Sequence, residues 1–206
     1  WPGRWDSRNR WFEQRPSWRV LQSPTSIAEL FDKRRTSRRY AELGIPVVVK
    51  ETGCGLSRGV ATLVRAAGVQ HVDVSGSGGT SWVAVEAHRA VDETERQLAD
   101  ELWDWGIPTA ASLVQLQGLG LNIIATGGVR SGTDIAKAVA LGAIAGGLAA
   151  PVLKAHRAGG YDGALGFLRR LIHTVRSIML LTGSRTVADL QRAPRILGPA
   201  LARWVP

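Results

Sequence analysis

Gly127-Gly128-Val129-Arg130 is the group of residues in this sequence best suited to holding an anion. Ser131-Gly132-Thr133-Asp134 follows, and then Ile135, Ala138, Val139 and Gly142 recur at helical spacing. Ser, Thr and Asp ahead of such a run start helices, because their side chains accept from the free N–H groups of the first turn. A glycine turn leading into a helix presents backbone N–H donors at the positive end of the helix dipole, and Arg130 adds a cation that can bind bidentately. That chemistry is phosphate binding, set against an ordinary glycine turn. Lys50 closes an apolar run and reads two ways: a rim lysine with its head in water, or an inward ammonium facing an anionic cofactor or developing negative charge. Ser75 and Thr80 bracket Gly76-Ser77-Gly78-Gly79, where their hydroxyls either donate to a ligand or cap the loop. The small pair Ala149-Ala150 follows a further apolar run. Cys54 has no neighbour that would lower its pKa and reads as a packing residue. His71, His88, His156 and His173 show no metal-ligand spacing, so no zinc site is expected.

The elements that position these groups alternate. Pro46 to Lys50 holds a continuous β-branched run, as in a strand buried on both faces of a parallel sheet. Ser57 to Ala67 has a helical apolar face, with Gly68 as its stop, and Val69 to Val74 is the next strand. A longer polar segment with Trp82, Trp103 and Trp105 includes a charged, helix-capable run from Ala90 to Leu102. Pro108 to Gln117 predicts another helix. A strand beginning at Ile123 then stops at Gly127-Gly128, Gly142 ends the following helix, and Ile144 to Leu148 is a fourth strand. Helices are predicted over Ala164 to Leu181 and Val187 to Ala193, the latter capped by Thr186. Strands alternating with helices argue for a parallel sheet with right-handed crossovers. In barrels of that type functional groups sit at the C-terminal strand ends. Lys50, Ser75 to Thr80, Gly127 to Arg130 and Ala149-Ala150 all fall at such ends, which points to one ligand shared across one face.

The chain has 206 residues, 45% of them hydrophobic and 21% charged, as in an ordinary globular protein. It is long enough for one real core but short for a complete (β/α)₈ barrel of about 250 residues. One cysteine excludes an internal disulfide and fits a reducing compartment, here taken as the cytoplasm. No apolar stretch reaches the roughly 18 residues of a membrane span, and no signal-peptide core is visible at the N-terminus. The net charge of +9 raises the question of nucleic acid. Ten Lys or Arg against five acids fall within residues 1–45, together with Trp1, Trp5, Trp11 and Trp18. This stretch reads as an atypical basic, Trp-rich leader with a short helix from Thr25, in preference to a nucleic-acid arm. Residues 46–206 form the second unit.

Five segments in order, VVVKETGCGLS, HVDVSGSGGTSW, DWGIPTAASL, IIATGGVRSGTDIAKAVALGA and AAPVLKA, resemble the C-terminal half of type 2 isopentenyl-diphosphate isomerase. The resemblance covers about residues 46–180. It implies an α/β fold, the C-terminal half (about four βα units) of a TIM-type parallel (β/α) barrel. It also implies FMN-dependent interconversion of isopentenyl and dimethylallyl diphosphate, with NADPH as reductant, Mg²⁺ on the diphosphate, and a homo-oligomer. Lys50 would then contact the flavin near its reactive edge, and Ser75 and Thr80 would bond its ribityl chain or ring. Gly128, Val129 and Arg130 with Ala149 and Ala150 would hold its phosphate. The catalytic group would be the flavin itself, with no protein metal ligand in this chain. The glycine-arginine motif is shared with other FMN barrels such as 2-hydroxyacid oxidases, the alternative reading beside a non-catalytic remnant. Those oxidases carry a His-Gly-x-Arg-like motif after the strand equivalent to Val69–Val74, and this chain has no histidine there. Residues 1–45 lack the basic segment and the Gln-Glu pair of the family's N-terminal half; Glu13-Gln14 is a reversed pair. The change of character near residue 40 is what a truncated, fused or frameshifted N-terminus would produce.

Overall fold

The structure, a computed structural model, describes residues 47–206. Four parallel strands, β1 (Val48–Lys50), β2 (His71–Asp73), β3 (Asn122–Ala125) and β4 (Ala145–Gly146), lie side by side in chain order. Helix α1 (Arg58–Ala66) joins β1 to β2. Helices α2 (Trp82–Arg89), α3 (Glu93–Glu101) and α4 (Thr109–Gln115) lie between β2 and β3, and α5 (Gly132–Ala140) joins β3 to β4. Then follow α6 (Ala150–Leu181), α7 (Val187–Arg192) and α8 (Pro199–Ala202). Parallel neighbours cannot be joined by a tight turn, so each strand returns through helix. The α/β arrangement is the expected one, a partial barrel of TIM type. The Trp-rich leader and its short helix lie outside the described residues.

Register decides which side chains share a face. Lys50 is level with Asp73, and Asp73 with Ile124. Alternation therefore sends Val48, Lys50, Asp73, Ile124 and Thr126 to one face, and Val49, Val72, Val74, Ile123 and Ala125 to the other. The second set packs against the helices, where Val72, Val74 and Ala125 are fully buried with Val64, Leu113 and Val114. Each such buried valine or leucine contributes roughly 1.5–3 kcal/mol. The first face is open: Val48 is 43% exposed, and Asn122 and Ala145 are exposed as well. In a closed barrel this face is the interior. A smaller core joins α5 to the C-terminal helices through Ala136, Val139 and Leu190. Gly132 allows the close approach there, because a Cβ on it would stand 2.6 Å from the Leu171 carbonyl oxygen.

Four elements differ from expectation, one of them α8, which no sequence pattern suggested. The strand predicted over Ile144 to Leu148 keeps ladder geometry only at Ala145–Gly146, since β4 has a single neighbour among the described residues. Helix α2 falls in the segment read as polar; its N-cap Ser81 accepts from the Ala84 N–H at 3.1 Å. The helix predicted from Ala164 begins at Ala150, with proline in the first turn, where its missing N–H costs nothing. Gly159 and Gly160 leave helical geometry and divide α6 into two arms. The patterned second arm was legible in sequence, and the first was not.

Candidate functional site

The C-terminal ends of β1, β2 and β3 carry a hydrogen-bonded cluster. Lys50 Nζ donates to Asp73 Oδ2 at 2.8 Å and to Thr126 Oγ1 at 3.1 Å. Thr126 Oγ1 donates to Asp73 Oδ1 at 2.6 Å, and the Ser75 N–H donates to the same oxygen at 3.1 Å. The Asp73 side chain is 9% exposed and that of Lys50 52%. A carboxylate this buried needs partners on both oxygens, and it has them. Lys50 is thus held across the rim by Asp73 and Thr126 while its side chain stays half exposed. Beside it, Glu51 Oε2 accepts from the N–H groups of Gly53, Cys54 and Gly55 at 2.7, 2.6 and 2.9 Å, and so folds the loop after β1. Burial pushes the Cys54 thiol pKa up, and the Glu51 charge adds to the shift.

The loops after β2 and β3 meet backbone to backbone. A Cβ on Gly127 would lie 2.6 Å from the Gly76 nitrogen, and one on Gly128 would lie 2.5 Å from the Gly78 carbonyl oxygen. A Cβ on Gly79 would lie 2.7 Å from the Gly128 nitrogen. Gly127, Gly128 and Gly78 also have positive φ, which side chains disfavour. Thr109 at the start of α4 shares its one hydroxyl hydrogen between the Thr126 and Gly127 carbonyls, which pins the same corner. Ser75, buried and with φ 35°, enters this loop in a conformation rare for a residue with a side chain.

The ends of β3 and β4 carry the remaining residues singled out in the sequence. Ser131 and Asp134 form a capping box at the start of α5. Burial works against the Asp134 charge, but bonds from the Arg130 and Ser131 N–H groups and the Ser131 hydroxyl, with Lys137 nearby, outweigh it and hold its pKa below the usual carboxylate value. The cap takes the N–H groups of Arg130 and Ser131. Those of Gly128 and Val129 donate to no acceptor among the described residues. Arg130 donates a guanidinium N–H to the Gly78 carbonyl at 2.7 Å and is otherwise exposed. Ala149 and Ala150, both exposed, form the start of α6, which has no side-chain cap. Their N–H groups likewise have no acceptor among the described residues.

Every residue singled out in the sequence thus lies on one rim. Lys50 and Ser75 share Asp73, while Gly128, Val129 and Arg130 join the Ser75–Thr80 loop through the glycine contacts and the Arg130–Gly78 bond. The Thr80 hydroxyl makes no bond among the described residues, although its carbonyl abuts Gly53. Ala149 and Ala150 stand on the neighbouring strand end, and no hydrogen bond ties them to the cluster. Sequence reasoning missed Asp73, Thr126 and Thr109. The signal for Asp73 was a carboxylate inside the apolar run Val69 to Val74, where a charge needs a partner. Among the described residues, no group of three or more His, Cys, Asp or Glu side chains could hold a metal ion. No helix among them is long and apolar enough to cross a membrane.

Known proteins share this chain's sequence and fold. An isopentenyl-diphosphate delta-isomerase of Thermococcus kodakarensis is 43% identical over 166 residues, covering 80% of this chain and 44% of the relative. One from Methanothermobacter thermautotrophicus is 44% identical over 188 residues, covering 90% and 49%. The chain therefore spans less than half the length of the curated relatives it matches. Among solved structures, mandelate oxidase with (S)-4-hydroxymandelic acid superposes with a TM-score of 0.57 at 28% identity, over 81% of this chain and 41% of that one. The family described as FMN-dependent dehydrogenase matches residues 10–196, from within the basic leader to beyond α7. With most of its length matched and the fold agreeing, the chain belongs to the FMN-dependent dehydrogenase family.

Proposed function

We propose that this chain forms the FMN-binding part of an isopentenyl-diphosphate isomerase, serving the interconversion of isopentenyl and dimethylallyl diphosphate in isoprenoid synthesis. The observation that carries the reading is identity of 43–44% to proteins of that name, over a stretch that contains the whole rim. The residues present fit FMN. Four backbone N–H groups, at Gly128, Val129, Ala149 and Ala150, have no acceptor among the described residues, and Arg130 stands beside the first two. Donors of this kind suit a phosphate. Ser75, Thr80 and Lys50 would meet the rest of the cofactor, with Lys50 supplying a positive charge where electron density is highest. When bound, FMN supplies the redox-active ring on which the family's chemistry depends.

The reading extends to NADPH as reductant and Mg²⁺ on the substrate diphosphate. Among the described residues no group of three or more His, Cys, Asp or Glu side chains stands ready for a metal ion, so the substrate diphosphate itself would be the main holder of Mg²⁺. A cytoplasmic site of action accords with the single cysteine. Among the described residues β1 and β4 are the edges of the sheet, and a homo-oligomer is the assembly this reading expects. A second reading, a 2-hydroxyacid oxidase, has the mandelate oxidase likeness in its favour. Against it, the loop after β2 reads SGSGGTSW and lacks a histidine.

Titration of the purified chain with FMN and with riboflavin, followed by flavin fluorescence, tests the cofactor reading. Tighter binding of FMN than of riboflavin is expected. Arg130→Met should remove about tenfold of that preference, the effect of one charge-assisted bond. Binding of neither flavin would refute the reading. Oxidation of lactate or mandelate by the FMN-loaded chain would favour the oxidase.

A further inference from the structure

We propose that Asp73 is the positioning residue of this rim, acting through Lys50 and Ser75 to aim one ammonium N–H at the flavin. The inference rests on the FMN reading above. It begins with the polarity of the hydrogen bonds. An ammonium only donates and an ionised carboxylate only accepts, so the Thr126 hydroxyl between them has one possible arrangement. Its hydrogen goes to Asp73 Oδ1, and its lone pair receives Lys50. Asp73 Oδ2 receives a second Lys50 hydrogen. Two of the three ammonium hydrogens are thus committed, and the third is left to point out of the cluster from a side chain that is half exposed. Lysine has a flexible stem and would otherwise spread this donor over many directions. Here three strand ends fix it.

Asp73 has a second reach. Its Oδ1 also accepts the Ser75 N–H, two residues on, and so holds the buried Ser75 at φ 35°. One side chain thereby places two residues expected at the cofactor, yet it is too buried to be the cofactor's own main contact. Thr126 completes the clip and leads directly into Gly127-Gly128, which ties the ammonium to the phosphate end of the rim.

The test uses the full chain with FMN as the probe, reading the dissociation constant and the visible absorption bands of the bound flavin. Lys50→Met, Asp73→Asn and Thr126→Val should each weaken binding by about tenfold or more, the usual loss for a bond to a charged group, and shift the flavin bands. Thr126→Ser, which keeps the hydroxyl, should stay within about twofold of the parent. Because Asp73 acts through Lys50, Asp73→Asn should cost much less in the Lys50→Met background than alone. Should Asp73→Asn fail to fold, Thr126→Val and its serine rescue carry the same test. Normal FMN binding by both Asp73→Asn and Thr126→Val, or fully additive losses, would overturn the proposal while leaving the cofactor reading intact. A parent chain that binds no FMN would overturn both.

Discussion

Replacing Gly127 by alanine should be far more damaging than replacing Gly118, although both glycines have positive φ, +92° and +78°. Placing a side chain in the left-handed region costs roughly 1–2 kcal/mol at either position. Around Gly118 nothing lies within 4 Å of an added Cβ, so that cost should be the whole effect. At Gly127 the added carbon would stand 2.6 Å from the Gly76 nitrogen and closer still to its carbonyl oxygen. Both neighbours are main chain, which cannot swing aside as a side chain can. Forcing the two loops apart adds an overpacking cost of about 1–3 kcal/mol. The expected totals are about 2–5 kcal/mol for Gly127→Ala and about 1–2 kcal/mol for Gly118→Ala, against the 5–15 kcal/mol typical of a whole domain. Urea unfolding followed by far-ultraviolet circular dichroism measures both. Equal losses, within about 0.5 kcal/mol, would show that the close packing of the two loops contributes nothing and refute the reasoning.

Three further outcomes follow from the same structure. The Ser112 hydroxyl is fully buried and has no hydrogen-bond partner among the described residues, so Ser112→Ala should raise stability by about 1 kcal/mol in urea; a loss of that size would contradict it. Thr109→Val removes the hydroxyl that serves the Thr126 and Gly127 carbonyls and should cost about 1 kcal/mol, with weakened FMN binding as a second readout. Asp134 has a depressed folded-state pKa, so its contribution is present above the unfolded value of 3.8 and fades as pH falls through the lower folded one. The stability gap between the parent and Asp134→Asn should therefore be full at neutral pH and close below about pH 4. A gap that widened on acidification would reverse the assignment.

The strand-ending residues were legible because type and place coincide in them. Lys50 stops a β-branched run, and Gly127-Gly128 stops another, so periodicity alone put them at one end of a parallel sheet. The Ser131–Asp134 box was visible for a similar reason, since cap chemistry is local and needs only four residues. Asp73 and Thr126 were hidden because their role is non-local: each matters through partners 23 to 76 residues away, which spacing along the chain does not reveal. The first arm of α6 was hidden because Ala155, His156 and the glycines that follow blur its apolar stripe, and most of that arm is exposed. Strand β4 was overestimated for a complementary reason, as a pattern suited to pairing on two sides meets a single neighbour.

The meeting of Gly76, Gly78 and Gly79 with Gly127 and Gly128 has an evolutionary consequence. Two loops distant in the chain meet main chain to main chain, with glycine on both sides of the seam. A substitution there cannot be answered by a compensating rotamer across the seam, because there is none to turn. Single replacements of Gly76, Gly79, Gly127 or Gly128 are therefore unfavourable, and paired ones must first pass through an unfavourable intermediate. The seam behaves as a ratchet: once closed, it stays. Change at this rim is thereby left to the residues that border the seam, at Lys50, Asp73, Thr126 and the start of α6.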